Sequence, residues 1–386
     1  MARIYLDHNA STPVRPEVLE AMLPYFGEKY ANASSAHAHG QESRGAIEEA
    51  RASVAAFLNA SPGEIVFTSG GTESDNLAVI GTARALAKKG RHVVSSAIEH
   101  DAVRHAVDAL EQQGYEITRV QPGADGRVTP AAIEAALRPD TILVTVMASN
   151  NENGVIQPMA EIGAICAAKG IAFHSDAVQA AGKIPIDVKA WQATMVTITA
   201  HKFYGPKGAG ALFVKRGFKP TPLQVGGEHE KGRRAGTENV PAIVGLARAC
   251  ELAAADIGAT TARIQALRDR LETELMARVP QIVIHGAAAQ RVCNTAHISF
   301  VGVEGEHLIL SFDMKGIAVS SAAACKTGSP HPSHVLLAMG VPPAVAQSAV
   351  RFSLGRSTTD ADIDRVLQIV PGIVEKLRAG SPTLAS

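Results

Sequence analysis

The sequence contains few aromatic residues and few cysteines. Aromatic residues make up 4% of the 386 positions, with a single tryptophan, and the four cysteines stand at positions 166, 250, 293 and 325. They are scattered without the short spacings of zinc ligands, in a chain whose start shows no export signal, so we expect neither a disulfide framework nor a metal site. A cysteine could instead be kept for chemistry.

Net charge and long apolar runs are absent as well. Lys+Arg and Asp+Glu both number 37, so no charge excess would attract nucleic acid or an anionic membrane surface. No uninterrupted apolar run approaches the ~20 residues that span a bilayer, and the first residues lack the apolar core of a signal peptide. We therefore expect a cytoplasmic protein that binds neither nucleic acid nor membranes.

Short apolar segments alternate with longer Ala-rich ones along much of the chain. The predicted strands are 64–67, 92–95, 141–147, 171–174, 195–199 and 210–214, and the predicted helices are 41–58, 72–89, 101–113 and 159–169. This alternation predicts an α/β fold with a mostly parallel sheet. A long helical pattern over 240–278 follows the last of these strands and leads toward a smaller α+β unit.

The chain length favours one large domain and one smaller one. We place the boundary near residue 260, within the long helical pattern. The predicted units are an N-terminal segment over 1–15 that packs with the small domain, a large domain over 16–260 and a small domain over 261–386.

The segment TSGGTESDN, at 68–76, joins a predicted strand to a predicted helix. Free backbone N–H groups and hydroxyls at the start of a helix could hold a phosphate. The alternative is an ordinary capped turn, because strand-to-helix turns are rich in Gly, Ser and Thr.

Two further segments place a carboxylate and a lysine after apolar strands. HSDAVQ, at 174–179, contains Asp176, and TAHKFYGPKG, at 199–208, contains Lys202. The carboxyl ends of parallel strands share one sheet edge, where such folds bind ligands. A pyridoxal-5′-phosphate (PLP) site needs a lysine for a Schiff base and a carboxylate at the pyridine nitrogen. Taken singly, Lys202 could equally be a surface lysine and Asp176 a helix cap.

Cys325 lies in a segment rich in Gly, Pro and Ser, which predicts an exposed loop. Its neighbours Lys326, His331 and His334 would favour the thiolate, the nucleophilic form of the side chain. Cys166 and Cys250 fall inside Ala-rich helical patterns typical of inert buried cysteines. The position of Cys293 does not indicate whether it is inert or reactive.

The string RFSLGR, at 351–356, contributes two arginines. A guanidinium fork matches the carboxylate of an amino acid with two parallel hydrogen bonds. Either arginine could therefore bind an amino-acid substrate.

With these segments assembled, the sequence resembles the NifS/IscS-type cysteine desulfurases of the class V aminotransferase family. The resemblance runs from Tyr5 to about residue 375. Besides the segments above, it rests on EH at 99–100, NNENG at 150–154 and GRRAGTEN at 232–239. It implies the PLP-dependent transferase fold of type I, with PLP in the large domain, a homodimer, and L-cysteine as substrate.

The resemblance also implies roles for individual residues. Lys202 would form the Schiff base and act as acid and base, and Asp176 would pair with the pyridinium nitrogen. Gln179 would contact the ring hydroxyl of the cofactor, and His100 would stack on the ring. The phosphate would be bound by Gly71, Thr72, Thr199 and His201 of the same chain, together with Thr237 of the partner subunit. Arg351, with Asn151, would bind the substrate carboxylate, and Cys325 would accept the sulfur.

The chain departs from the usual family pattern at several positions. Ala322 replaces a glycine before the nucleophile, Lys326 follows it, and Glu228 stands where a third glycine is common. Thr199 replaces a serine but keeps the hydroxyl. The segment from Cys325 to His334 has the length of the group that passes sulfur to a scaffold protein, such as one for iron–sulfur assembly. A selenocysteine lyase, or an aminotransferase or other PLP lyase in which Cys325 is incidental, is the alternative.

Overall fold

The structure of the protein is a computed structural model that describes residues 3–321 and 332–380. The strands are β1 Ile4–Tyr5, β2 Ile65–Thr68, β3 His92–Ser96, β4 Glu116–Val120, β5 Thr141–Thr145, β6 Ala172–Asp176, β7 Met195–Thr199, β8 Gly210–Val214, β9 Ile282–Ile284, β10 Thr295–Phe300, β11 Ile317–Ala318 and β12 Ala349–Ser353. The α-helices are α1 Pro16–Met22, α2 Ala38–Phe57, α3 Gly71–Leu86, α4 Asp101–Gln112, α5 Pro130–Ala136, α6 Met159–Ala168, α7 Val240–Arg278, α8 Gly305–Asp313, α9 His334–Ala338, α10 Pro343–Gln347 and α11 Asp360–Ala379.

A seven-stranded sheet in the order β2-β8-β7-β6-β5-β3-β4 forms the centre of the large unit. Strand β8 runs antiparallel to both of its neighbours, and the other pairs in the sheet are parallel. Strands β3, β5, β6, β7 and β8 are buried at every position. Strands covered on both faces are typical of an α/β fold, as predicted.

Every predicted strand and helix is observed, with differences at the ends, whereas α1, α5, β4 and the individual elements of the smaller unit were not predicted. Helix α2 begins three residues before the predicted start because the His37 side chain caps it, accepting from Gly40 N. Strand β4 was not predicted. It lies at the edge of the sheet and carries the exposed Glu116 together with Arg119, so it lacks the apolar run of a buried strand.

A second core lies around a small antiparallel sheet in the order β12-β10-β9. Strand β1 pairs in parallel with β11, and the side chains of Ile4 and Leu6 are buried in this second core. The predicted boundary near residue 260 falls inside α7, whose first part contributes Leu246 to the large core and whose last part contributes Leu271 to the small one. The domain limits themselves stay a prediction.

Among the described helices, none has both the length and the apolar character that crossing a membrane requires.

Candidate active site

Strand ends place the candidate residues along one edge of the large sheet. Asp176 ends β6, and β7 leads directly into a 3-10 helix, Ala200–Lys202, that ends with the predicted lysine. Helix α3 begins at Gly71 shortly after β2, and His100 is the N-cap of α4 after β3. These strands point the same way, so their carboxyl ends create a single ligand-binding edge.

Lys202 is half-buried and has no carboxylate partner among the described residues. Its Nζ donates to the backbone oxygens of Asn9, at 2.6 Å, and Ala10, at 3.0 Å. Burial, with the nearby charge of Arg351, lowers the pKa of Lys202 to about 8. The neutral amine is therefore accessible near physiological pH, which suits a lysine that acts as a nucleophile and base.

Asp176 is 4% exposed, so its carboxylate is almost removed from water. Burial and the charge of Asp75 raise the pKa of Asp176 to about 7, and His100 opposes that change. Its Oδ1 accepts a hydrogen bond from Val178 N at 2.8 Å, a local contact of the capping type considered above. A cation beside this carboxyl group, such as a protonated pyridine nitrogen, would stabilise its ionised form.

His100 has an exposed imidazole ring at the start of α4. Its Nδ1 accepts from Ala102 N at 3.2 Å, so in the neutral ring the proton resides on Nε2. His100 remains accessible to solvent, but protein atoms around its ring disfavour the charged form and lower the pKa of His100, while the charges of Asp176 and Lys202 act on it in opposite directions. The structure thus brings His100, Asp176 and Lys202 into one electrostatic environment.

The turn before α3 is closely packed against the neighbouring strands. A Cβ added to Gly71 would lie 3.0 Å from Val178 Cγ2, and one added to Gly210 would lie 2.7 Å from the backbone of Gly70. The first turn of α3, which includes Gly71 and Thr72, presents backbone N–H groups toward the site edge. This geometry can hold an anion.

The other predicted phosphate residues differ in their environments. Thr199 donates its hydroxyl to Ala209 O at 3.0 Å, so a hydrogen bond to a phosphate oxygen would require this hydroxyl to rotate. The Nδ1 atom of His201 lies 3.3 Å from Ser11 Oγ, and burial lowers the pKa of His201 to about 4. Thr237 is exposed on the segment that precedes α7.

The two arginines of RFSLGR point to different surroundings. Arg351 is 5% exposed on β12, and it donates to Asn151 O at 2.9 Å and to Asp7 Oδ1 at 2.8 Å. Its Nε is buried with no partner among the described residues. Arg356 instead pairs with Asp256 at 3.0 Å. Only Arg351 is therefore placed to meet a substrate beside Lys202.

Asn9 is a central site residue that the sequence did not predict. Its backbone oxygen accepts from Lys202 Nζ and, at 2.9 Å, from Gln179 Nε2. Its side chain donates to Asn151 O at 3.2 Å and accepts from Lys183 Nζ at 3.1 Å. The polar run Asp7-His8-Asn9 immediately after an apolar strand was the available signal.

Cys325, like Ala322, Lys326 and His331, lies outside the described residues. The residues that flank this segment do lie at the site. Ser320 forms an isolated bridge with Arg351, and His334 Nε2 donates to Glu99 O at 3.0 Å. By contrast, Cys166, Cys250 and Cys293 are buried, and burial raises the pKa of each, that of Cys166 to about 12.

These residues fit PLP in the chemistry of their donor set. A half-buried lysine without an ionic partner in the described part of the chain, a buried carboxyl group, an accessible histidine and a helix N-terminus match its aldehyde, pyridine nitrogen, ring face and phosphate.

Comparisons with known proteins agree with this architecture. The aminotransferase class-V family profile matches residues 4–366. A protein of Anaeromyxobacter dehalogenans named cysteine desulfurase IscS is 50% identical over 98% of this chain and 94% of its own, and one of the same name from Methanosarcina thermophila is 48% identical over 98% and 94%.

Solved structures show the same fold. A NifS-like protein superposes with a TM-score of 0.91 at 36% identity, covering 97% of this chain and 100% of its own. The NifS-like protein from Rickettsia africae gives 0.88 at 33% identity, covering 97% and 99%. The predicted fold class, that of type I PLP-dependent enzymes, is confirmed. Because the family profile and these relatives cover nearly the whole length, this chain belongs to the aminotransferase class-V family.

Proposed function

We propose that this protein is a PLP-dependent cysteine desulfurase, which converts L-cysteine to L-alanine and transfers the sulfur to Cys325. One observation carries the proposal most strongly. Lys202, with its lowered pKa, shares an edge of the large sheet with the buried Asp176, and the buried Arg351, on β12 of the small sheet, is near enough for its charge to act on Lys202. The relatives named cysteine desulfurase, 50% and 48% identical over 98% of the chain, support the substrate class.

Each part of the cofactor has a matching group in the site. Asp176 would pair with the pyridine nitrogen, Gln179 would donate to the ring hydroxyl, and His100 would stack on the ring. The phosphate would be held by Gly71, Thr72, Thr199 and His201. When bound, PLP supplies an electron sink that stabilises negative charge on the substrate Cα.

Arg351 and Lys202 would act on the substrate from two sides. Arg351 binds the α-carboxylate through charged hydrogen bonds, with Asn151 alongside, and the substrate carboxylate competes there with Asp7. Lys202 removes the proton from Cα and returns it during turnover, which a pKa of about 8 allows at neutral pH. Because Asp176 and Arg351 are both almost fully buried, bulk water has little access to the carboxyl group or to the guanidinium group.

Sulfur transfer is assigned to the Cys325 thiolate. Its Sγ attacks the sulfur of the substrate, a sulfur–sulfur bond forms, and the Cβ–S bond breaks with its electron pair remaining on the carbon skeleton. Protonation of that carbon gives alanine, and Cys325 keeps a persulfide. We propose that a cytoplasmic acceptor, such as an iron–sulfur scaffold protein or another thio-cofactor pathway, receives this sulfur.

Turnover of the PLP-loaded protein tests the function. We expect L-cysteine and a thiol reductant to yield alanine and sulfide in equal amounts. Selenocysteine, assayed in parallel, separates a selenocysteine lyase, which would cleave it and leave cysteine untouched. An aminotransferase would consume an amino acid and a keto acid without releasing sulfide, and that outcome would contradict the proposal.

We further propose a homodimer, in which Thr237 of the partner subunit reaches the phosphate. Apolar side chains that a water-soluble monomer would rarely expose together support it. Leu19, Leu23 and Phe26, at 48%, 56% and 64% exposure, are spaced three or four residues apart as on one helical face, and Tyr30 follows at 78%.

Phe26→Glu should therefore weaken the dimer by roughly 10-fold or more, since it would bury a charge at an apolar interface. Sedimentation velocity over a dilution series measures this effect, and PLP affinity should fall together with dimer content. Met314→Glu is the matched control, because Met314 is 80% exposed on the smaller unit of the same chain, and this substitution should leave the dimer intact. A monomeric parent protein with full PLP affinity and activity would refute the assignment.

A further inference from the structure

Lys183 is a cation beside the site for which the reaction above has no use. Backbone hydrogen bonds from Ala181 N to Ala177 O, at 2.9 Å, and from Ile184 N to Ala180 O, at 3.0 Å, fold residues 177–184 into consecutive turns. Within these turns, Lys183 Nζ lies 2.7 Å from Gln179 Oε1.

The hydrogen-bond acceptors of Lys183 among the described residues are two side-chain amide oxygens. Besides Gln179 Oε1, they include Asn9 Oδ1 at 3.1 Å. An ammonium group has three donors and no acceptor, so it requires each amide to present its oxygen. The amide nitrogens must then face the other way, and Gln179 Nε2 donates to Asn9 O at 2.9 Å.

Rotation of the Gln179 amide would break this arrangement twice. Its nitrogen would face the Lys183 ammonium, and its oxygen would face Asn9 O, so like groups would meet on both sides. Asn9 O also accepts from Lys202 Nζ at 2.6 Å. The hydrogen bonds of Lys183, Gln179 and Lys202 therefore all meet at Asn9.

We propose that Lys183 is a positioning residue that locks the Gln179 amide with its second N–H group free for the ring hydroxyl of the cofactor. The assignment rests on the proposed function, in which Gln179 contacts PLP. Without the ammonium group, only the hydrogen bond to Asn9 O would still favour this orientation, so the amide would present its oxygen to the cofactor more often.

The charges around Lys183 indicate when the lock should hold. The titratable groups that act on it or respond to it are Lys202, Arg351, Cys293 and His8. Burial, together with the positive charges of Lys202 and Arg351, lowers the pKa of Lys183 to about 7, while Cys293 opposes the change. The ammonium form dominates below that pH, so the lock should weaken as pH rises through about 7.

A double-mutant cycle between Lys183→Met and Gln179→Ala tests the proposal. At pH 6.5 we expect K183M to weaken PLP binding by roughly three- to tenfold and to raise the pH midpoint of the bound-PLP absorption change by about half a unit. In the Q179A background, K183M should add little to either value, because the group that it orients is gone.

Equal effects of K183M in both backgrounds would overturn the proposal, because they would show that Lys183 acts by charge or stability alone. Lys189→Met removes an exposed lysine that donates to Asn59 and should change neither reading. If K183M does not fold, Lys183→Gln replaces it, since it keeps an N–H donor. K183Q should bind PLP within about twofold of the parent, and a larger loss that persists in Q179A would refute the assignment.

These measurements read cofactor binding rather than turnover. If the double-mutant cycle gives the expected result but the protein makes no alanine from cysteine, only the proposed function is refuted. If the protein is a desulfurase but the cycle does not give that result, only the role of Lys183 is refuted.

Discussion

Lys202→Ala should lower the turnover of cysteine by roughly 1000-fold or more, because it removes both the Schiff-base nucleophile and the base that moves the Cα proton. The structure indicates why another lysine would not substitute. Lys202 ends the 3-10 helix after β7, and its Nζ is held by the backbone oxygens of Asn9 and Ala10. Lys183 is engaged by two amide oxygens instead.

Alanine release, sulfide release and PLP retention after dialysis are the measurements for K202A. The variant should lose PLP on dialysis, since the covalent link is gone, whereas the parent should keep it. Lys207→Ala is the matched control, because Lys207 is an exposed lysine five positions along the same segment. Parent-like desulfuration by K202A would show that the Schiff-base assignment is wrong.

Much of the fold could be predicted from the sequence because the central strands are short, apolar and separated by Ala-rich helices. Strands β7 and β8 were predicted to the residue, since all of their positions are buried and each run has clear ends. Strand β4 was missed because an edge strand keeps one side in water and tolerates Glu116 and Arg119. Pairing order within the sheet depends on contacts between distant segments, which periodicity does not record.

The site residues likewise fall into those that the local sequence pattern predicts and those that depend on contacts between distant segments. Asp176 and Lys202 were predicted because each follows an apolar strand, so local pattern and fold class together place them at one edge. Asp7, Asn9 and Lys183 were not, because their importance arises from contacts between segments more than 100 positions apart or from the direction of a side chain in a turn.

The residue pattern alone left the choice between the two arginines of RFSLGR open for a related reason, and only the family resemblance singled out Arg351. Neighbouring residues of a strand face opposite sides of the sheet, and Arg356 lies beyond the end of β12. The structure directs Arg351 to Asp7 and Asn151 and leaves Arg356 with Asp256. A sequence motif can supply a functional group without showing which copy of it reaches the site.

The position of Cys325 in the sequence links it to the site although its own placement is not described. Ser320, before it, is bridged to Arg351, and His334, after it, contacts the backbone of Glu99 next to His100. The three described cysteines are buried, and the pKa of each is raised, which disfavours the thiolate that sulfur transfer requires. These observations support Cys325 as the sulfur acceptor.

Cys325→Ser should therefore separate the two halves of the reaction. Cofactor binding and removal of the Cα proton depend on Lys202 and Arg351, so adding cysteine should still change the PLP spectrum and exchange the Cα proton with solvent. Alanine release should fall by roughly 100-fold or more, because a hydroxyl near neutral pH is a far poorer nucleophile than a thiolate. Selenocysteine cleavage could persist in this variant, since selenium leaves more readily and would not require attack by Cys325.

Mass spectrometry locates the transferred sulfur directly. After limited cysteine, the peptide that contains Cys325 should gain about 32 Da, the mass of one sulfur atom, and lose it on reduction. Cys166→Ala is the matched control. Its thiol is buried with a pKa of about 12, so removing it should leave persulfide formation and alanine release close to the parent values. Because burial disfavours ionisation at each of the other three cysteines, persulfide on any of them in the parent would mean that the site opens to a thiol that the structure encloses, and the assignment to Cys325 would then be abandoned.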